Sequence, residues 1–183
     1  CFTADWCGYC PMMATAIELA QADLPEKIEA VRVHGEGSSL SNDLSLRICS
    51  DYQIHGFPTA LVDCSTYVEN YESSYTASLI VNAIRNTEVT YDTCTGTMWT
   101  SSVSGNEISL NLTAYIKTSG SYKVTALLIE DDIVAYQYGY GYDYVHTAVL
   151  RGAFTDAMGD EFYTNKSCSV RSFDYSMTIP AEC

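Results

Sequence analysis

The sequence is poor in positive charge: 9 Lys and Arg stand against 23 Asp and Glu, a formal net charge of -14. A nucleic-acid role is excluded, because a phosphate backbone would be repelled rather than gathered. No uninterrupted apolar run approaches the roughly 18 to 20 residues needed to cross a bilayer as a helix, and no basic stretch followed by an apolar one opens the chain. Any signal or anchor is therefore expected to lie outside this sequence. Charged residues of both signs make up only 17% of the chain and hydrophobic residues 47%, which excludes a disordered chain. No repeat of solenoid period and no low-complexity tract is found.

What is present is 183 residues, enough for one large domain or two small ones, each with its own core. The 8 cysteines are an even count and more than a cytosolic chain of this size normally keeps as thiols, so an oxidising compartment is expected: periplasm, cell surface or secretion. The 15 tyrosines, with many Ser and Thr and few Lys, suit strand-rich surfaces.

The pattern changes near residue 88. Before it, strand and helix signals alternate. Cys1-Phe2-Thr3-Ala4 reads as the end of a strand, and Cys7 to about Leu24 as a helix with Met12, Met13, Ala16, Ile17, Leu19 and Ala20 on an apolar face. Pro11 falls in its first turns, where a missing N–H is tolerated. Residues 28–34 read as a strand, Ser41-Asn42-Asp43 as the cap of a helix running to about Asp51, residues 59–63 as a short strand, 67–71 as its partner and 76–86 as a closing helix. The order β-α-β-α-β-β-α is an α/β layer. From Val89 onward, short alternating runs at 98–103, 108–116, 122–130, 133–137, 144–150 and 169–177, punctuated by Gly96, Ser104-Gly105, Ser119-Gly120 and Asp131-Asp132, predict a small antiparallel β-sandwich. The expected domains are 1–88 and 89–183.

The sharpest signal is Trp6-Cys7-Gly8-Tyr9-Cys10-Pro11, a C-x-x-C between a strand and a helix. A helix N-terminus stabilises the Cys7 thiolate, which is the attacking species in disulfide exchange, and Cys10 follows closely enough to resolve the mixed disulfide. A structural Cys7–Cys10 disulfide on an inactive scaffold is the alternative. Zinc would need two more ligands, and no second C-x-x-C or H-x-x-x-H occurs, so neither a metal nor a cofactor is expected. The remaining cysteines, Cys49, Cys64, Cys94, Cys168 and Cys183 among them, are expected in structural cystines, with Cys94–Cys168 preferred as a staple of the second domain.

Trp6-Cys7-Gly8-Tyr9-Cys10 resembles the thioredoxin superfamily signature, and Gly8-Tyr9 is similar to the dipeptide of some bacterial periplasmic disulfide isomerases. Tyr52-Gln53-Ile54-His55-Gly56-Phe57-Pro58-Thr59 resembles the segment leading into the superfamily's cis-proline strand. The resemblance implies a cis Pro58 facing Cys7 and Cys10, with Phe57 backbone groups pairing with a substrate's extended chain and Trp6, Gly8 and Tyr9 beside it. It also implies that the chain starts inside a central strand, truncating the domain at its N-terminus. Thioredoxins proper usually carry a buried acid at the place of Cys1, which assists proton transfer at the second cysteine; Cys1 does not offer the same chemistry.

In the second half, Leu127 to Gln137, Tyr144 to Ala153 and Met158-Gly159-Asp160 resemble the outer-membrane protein family of Bacteroidetes often described as lipoproteins, in which an immunoglobulin-like β-domain follows a thioredoxin-like one. That implies a cell-envelope location, outer membrane or periplasm, with outer-membrane association through an anchor preceding Cys1. His146 and Arg151 are expected to be structural, Glu130-Asp131-Asp132 to be a tight turn rather than a cation site, and the alternating Tyr136, Tyr138, Tyr140, Tyr142 and Tyr144 to serve packing. Two functions follow: a thiol–disulfide oxidoreductase in which Cys7 attacks and Cys10 resolves, with protein or peptide thiols and disulfides as partners; or a surface binding or adhesion protein that keeps the thioredoxin fold as a scaffold.

Overall fold

The computed structural model describes residues 1–90, 95–181 and 183. The chain forms two compact units, Cys1–Thr90 with Ile129–Leu150, and Tyr91–Leu128 with Arg151–Cys183. The expected single boundary near residue 88 is thus only part of the division: residues 129–150, expected in the β-domain of 89–183, belong to the first unit. The cause is a backbone pairing. Arg32 N–H donates to Ala148 O at 2.7 Å and Leu150 N–H to Arg32 O at 3.0 Å, so the later segment adds to an edge of the first unit's sheet.

The first unit opens with β1 (Phe2–Thr3), α1 (Cys10–Asp23), β2 (Val33–His34), α2 (Asp43–Asp51), β3 (Ala60–Val62), β4 (Thr66–Val68) and α3 (Ser73–Thr90), the order expected from the sequence. Strand β1 runs parallel to β2, with Phe2 opposite Val33. On its other side Phe2 exchanges both backbone hydrogen bonds with Thr59, at 2.7 and 3.2 Å, which brings β3 and its hairpin partner β4 alongside. The expected strand over 28–34 is short, because only Val33 and His34 reach the register of Phe2 and Thr3. Met13, Ala16, Ile17 and Ala20 of α1 meet Ala77, Ile80 and Val81 of α3 over Ala60, Val62 and Val68 of the hairpin. Burying each of the larger side chains contributes roughly 1.5–3 kcal/mol.

Two of the helices carry side-chain caps. Asn42 accepts from Ser45 N–H, and Asn42 N–H donates back to Ser45 Oγ, a closed capping box on α2. Glu72 accepts from Ser74 N–H at 3.1 Å and Tyr75 N–H at 2.6 Å at the head of α3. By contrast α1 has neither a side-chain cap nor an acidic residue in its first turn.

Next come β5 (Thr95–Ser104), β6 (Glu107–Ile116), β7 (Gly120–Val124), β8 (Leu127–Glu130), β9 (Ile133–Gln137), β10 (Gly141–His146), β11 (Val149–Ala153), β12 (Asp160–Thr164) and β13 (Ser169–Thr178). The division between the units falls within β8 and within β11. The second unit is β-rich, as expected. Strand β6 lies between β5 and β13, all antiparallel, and β7 pairs with β12. Leu112, Ala114 and Ile116 of β6, with Val124, Phe162 and Phe173, form its core. The expected run at 122–130 is broken between β7 and β8, the run at 144–150 is broken at Ala148 (φ 52°), and β12 was not anticipated.

Candidate active site

Cys7 and Cys10 form a disulfide, with Cα atoms 5.5 Å apart. Helix α1 begins at Cys10, so Cys7 lies in the turn before the helix rather than within it, and Pro11 occupies the first turn. Cys10 N–H donates to Cys7 O at 3.4 Å. Because α1 lacks a capping side chain, the positive end of its dipole is uncompensated beside the two sulfurs, which favours a thiolate there once the disulfide is reduced.

The Phe57–Pro58 peptide is cis, as the resemblance implies, and Pro58 is buried. Phe57 packs against Ala4, Cys7 and Cys10, and its ring meets Trp6 edge-on with centroids 5.7 Å apart. Gly35 makes that position available, since a Cβ there would overlap the Phe57 ring, with Cε1 at 3.0 Å. Trp6 is fixed by its indole N–H donating to Glu36 O at 3.1 Å. Gly8 and Tyr9 are exposed, and the Tyr9 ring stacks at a tilt on Tyr71, 4.8 Å away. Trp6, Cys7, Cys10 and Phe57 are thus brought together, with Gly8 and Tyr9 on the open side.

The structure adds a covering element that sequence reasoning did not assign to the site. The hairpin of β9 and β10 brings Gln137, 2% exposed, so that its side-chain amide donates to Cys7 O at 2.8 Å. Next to it Tyr138 N–H donates to Asp5 O at 2.7 Å, and the Tyr138 ring lies over Gly8, 3.2 Å from where a Cβ would stand. Cys7 is only 5% exposed, packed with Ala4, Cys10 and Phe57. The alternating tyrosines of this segment were visible in the sequence; the polar residue between two of them, which makes the decisive contact, carried no local signal.

A buried polar cluster supports the same turn. Asp5 accepts from Ser39 N–H at 2.8 Å and Ser39 Oγ at 2.5 Å, and Asp5 N–H donates to Ser38 Oγ. Burial pushes the Asp5 carboxyl up, but the hydrogen bonds from Ser39 and Ser38, with His34 nearby, outweigh it and hold the carboxyl below its ordinary range. His34 Nδ1 pairs with Ser38 Oγ at 2.8 Å, and its ring lies 5.4 Å from that of His146. Burial lowers the His146 pKa, opposed in part by the Tyr136 carbonyl 3.3 Å from Nε2 and by Asp5. His146 is thus structural in placement, tying the hairpin to β2, while Arg151 is buried in the second unit. Asp131 and Asp132 form the turn between β8 and β9, where Asp131 accepts from Ala148 N–H at 2.7 Å.

Cys1, Cys49, Cys64 and Cys168 form no disulfide among the described residues, so the expected structural cystines at Cys49 and Cys64 are not made there. Cys94, the preferred partner of Cys168, lies outside the described residues. Among the described residues no group of three or more His, Cys, Asp or Glu is arranged to hold a metal.

Comparison with known proteins covers both halves of the chain. Residues 47–183 match the family of outer membrane protein Omp28, and residues 1–86 match thioredoxin. No curated protein matches. Among solved structures, HBP35 of Porphyromonas gingivalis is similar over 97% of this chain at 19% identity, with a TM-score of 0.72. The chain spans 62% of the length of that protein. A crystal structure of an Agrobacterium tumefaciens protein is similar over 95% of this chain and 75% of its own, at 14% identity and a TM-score of 0.55. At these identities the likenesses concern the fold: a thioredoxin-like domain followed by a β-rich region.

Proposed function

The chain belongs to the Omp28 outer membrane protein family, whose location is the cell envelope, and from that premise we propose that it is a thiol–disulfide oxidoreductase acting on protein or peptide disulfides through Cys7 and Cys10. The observation that carries the proposal is the Cys7–Cys10 disulfide at the uncapped start of α1, packed against Phe57 beside the cis peptide. The Phe57 backbone N–H and C=O make no hydrogen bond among the described residues and so remain open to an extended substrate chain.

In the reduced protein the Cys7 thiolate attacks one sulfur of a substrate disulfide. A mixed disulfide forms and one substrate thiolate leaves, taking up a proton. The Cys10 thiolate then attacks the Cys7 sulfur, regenerating the Cys7–Cys10 disulfide and expelling the second substrate thiolate. Two electrons have passed to the substrate, and the reverse sequence oxidises a dithiol. Trp6, Gly8, Tyr9, Phe57 and Pro58 form the docking surface, and the envelope location of the family supports envelope proteins as substrates.

Trapping tests this directly. A Cys10→Ser variant cannot resolve the intermediate, so it should accumulate mixed disulfides with envelope proteins through Cys7, and a Cys7→Ser variant should accumulate none through that position. Equal adducts in both variants, or none in either, would remove the proposal.

The second reading, a surface binding or adhesion protein on a retired redox scaffold, is favoured by one observation: Cys7 is buried, at 5% exposed. Under it the Cys7–Cys10 disulfide resists exchange even after the hairpin is loosened.

A further inference from the structure

The side chains around the dithiol have a common chemistry. Trp6, Tyr9, Tyr71 and Tyr138 are each about half exposed, at 49%, 56%, 58% and 58%. They are not scattered: Tyr9 stacks on Tyr71, Tyr138 lies against Gly8, and Trp6 rests on Phe57. The loop before α3 is joined to α1 by Ser73 Oγ donating to Met12 O at 2.9 Å, which holds Tyr71 beside the start of that helix. Such an aromatic rim is larger than the single exposed apolar residues that a monomer shows without consequence.

Its charge is equally one-sided. The stretches that carry Trp6, Tyr9, Phe57, Tyr71 and Tyr138, residues 1–26, 48–84 and 129–150, contain neither lysine nor arginine. The first unit's cations are Lys27, Arg32, Arg47 and Arg85, and of these Arg32 is buried while Arg47 and Arg85 pair with Asp51 and Asp23. Exposed acids sit in the same stretches or beside them: Glu36 follows Gly35 and holds Trp6 through its carbonyl, Glu72 follows Tyr71, and Asp143 follows Tyr142. Electron-rich ring faces amid negative charge attract a guanidinium or ammonium group, and they penalise an acidic chain twice, through the rings and through the carboxylates.

We propose that the aromatic rim around Cys7 and Cys10 is a docking surface for a cationic polypeptide segment, one that presents Lys or Arg side chains to Trp6, Tyr9, Tyr71 and Tyr138. This rests on the oxidoreductase function above and names its substrate class: disulfides or thiols carried in basic, extended segments. The open peptide groups of Phe57 take the backbone, and the rim selects the side chains.

The test separates docking from chemistry. Docking is measured on the oxidised full chain with two cysteine-free peptides of about 12 residues, identical except that Lys in one is Glu in the other, by fluorescence anisotropy. The Lys peptide should bind at least about tenfold more tightly, and its advantage should shrink severalfold on raising salt from roughly 0.05 to 0.5 M. Tyr9→Ala with Tyr71→Ala should weaken it severalfold, and Glu36→Lys, which leaves every ring in place, should weaken it as well. Equal affinity for the two peptides overturns the proposal. Chemistry is measured separately, in the chain carrying Gln137→Ala and Tyr138→Gly, as exchange with the small neutral disulfide of 2-mercaptoethanol. Exchange without peptide preference defeats the docking proposal alone, and peptide preference without exchange defeats the oxidoreductase function alone.

Discussion

Gln137 donates its side-chain amide to the carbonyl of Cys7 at 2.8 Å, across 130 residues of sequence. A residue from the β-rich half of the chain therefore holds the backbone of the candidate nucleophile, and Tyr138 beside it lies against Gly8 of the same turn.

Loosening that hairpin should free the site. Gln137→Ala combined with Tyr138→Gly should raise the rate at which reduced Cys7 is alkylated by about tenfold, as the sulfur gains access. Gln137→Ala should also cost about 0.5–1.5 kcal/mol of stability for the lost hydrogen bond, read by urea unfolding. An unchanged alkylation rate would mean that the hairpin does not control access.

Gly35→Ala forces a Cβ into the Phe57 ring. The ring must move, taking with it the edge-on contact to Trp6, and overpacking of this kind costs roughly 1–3 kcal/mol. In a Trp99→Phe background the Trp6 fluorescence should shift, and the urea midpoint should fall. A wild-type spectrum and midpoint would show that the Phe57 loop relaxes freely.

His146 predicts a pH dependence of known sign. Burial lowers its pKa in the folded state below the ordinary value of 6.5, so the unfolded chain binds the proton more readily. Stability is therefore full above about pH 6.5 and falls as the pH drops from there toward the lowered folded value. The groups facing the ring are Asp5, Arg32, His34, Tyr144 and the Tyr136 carbonyl. His146→Gln should flatten the loss that sets in below about pH 6.5 in urea titrations, while the loss caused by Asp5, whose pKa is also lowered, remains confined below about pH 4.

The packing account is checked at Ile80, 3% exposed between α1 and the β3–β4 hairpin. Ile80→Ala should cost about 2–5 kcal/mol by the transfer and cavity terms together. A loss under ~1 kcal/mol would place Ile80 outside the core of the first unit.

Much of the first unit was legible because its signals are local. Ser41-Asn42-Asp43 announces a helix start, Pro11 suits a first turn, and Gly56-Phe57-Pro58-Thr59 carries its own backbone geometry. The membership of residues 129–150 was not legible. Ile133 to Gln137 alternates like any edge of a β-domain, and what assigns it to the first unit is the pairing of Arg32 with Ala148 and Leu150, which depends on which strand edge is vacant after folding. The contact of Gln137 with Cys7 was hidden for the same reason, since a glutamine amide meeting a backbone carbonyl leaves no pattern in either stretch of sequence.

The central claim is that Cys7 and Cys10 exchange electrons with thiols, and the most direct test is the reduction potential of that pair in the full chain, equilibrated in glutathione buffers with free thiols trapped by alkylation and assigned by mass spectrometry. The account predicts a potential between roughly -270 and -120 mV, reached rapidly once the hairpin is loosened by Gln137→Ala and Tyr138→Gly. A potential well below about -300 mV, with slow exchange even in that variant, would mark an inert structural disulfide and contradict it.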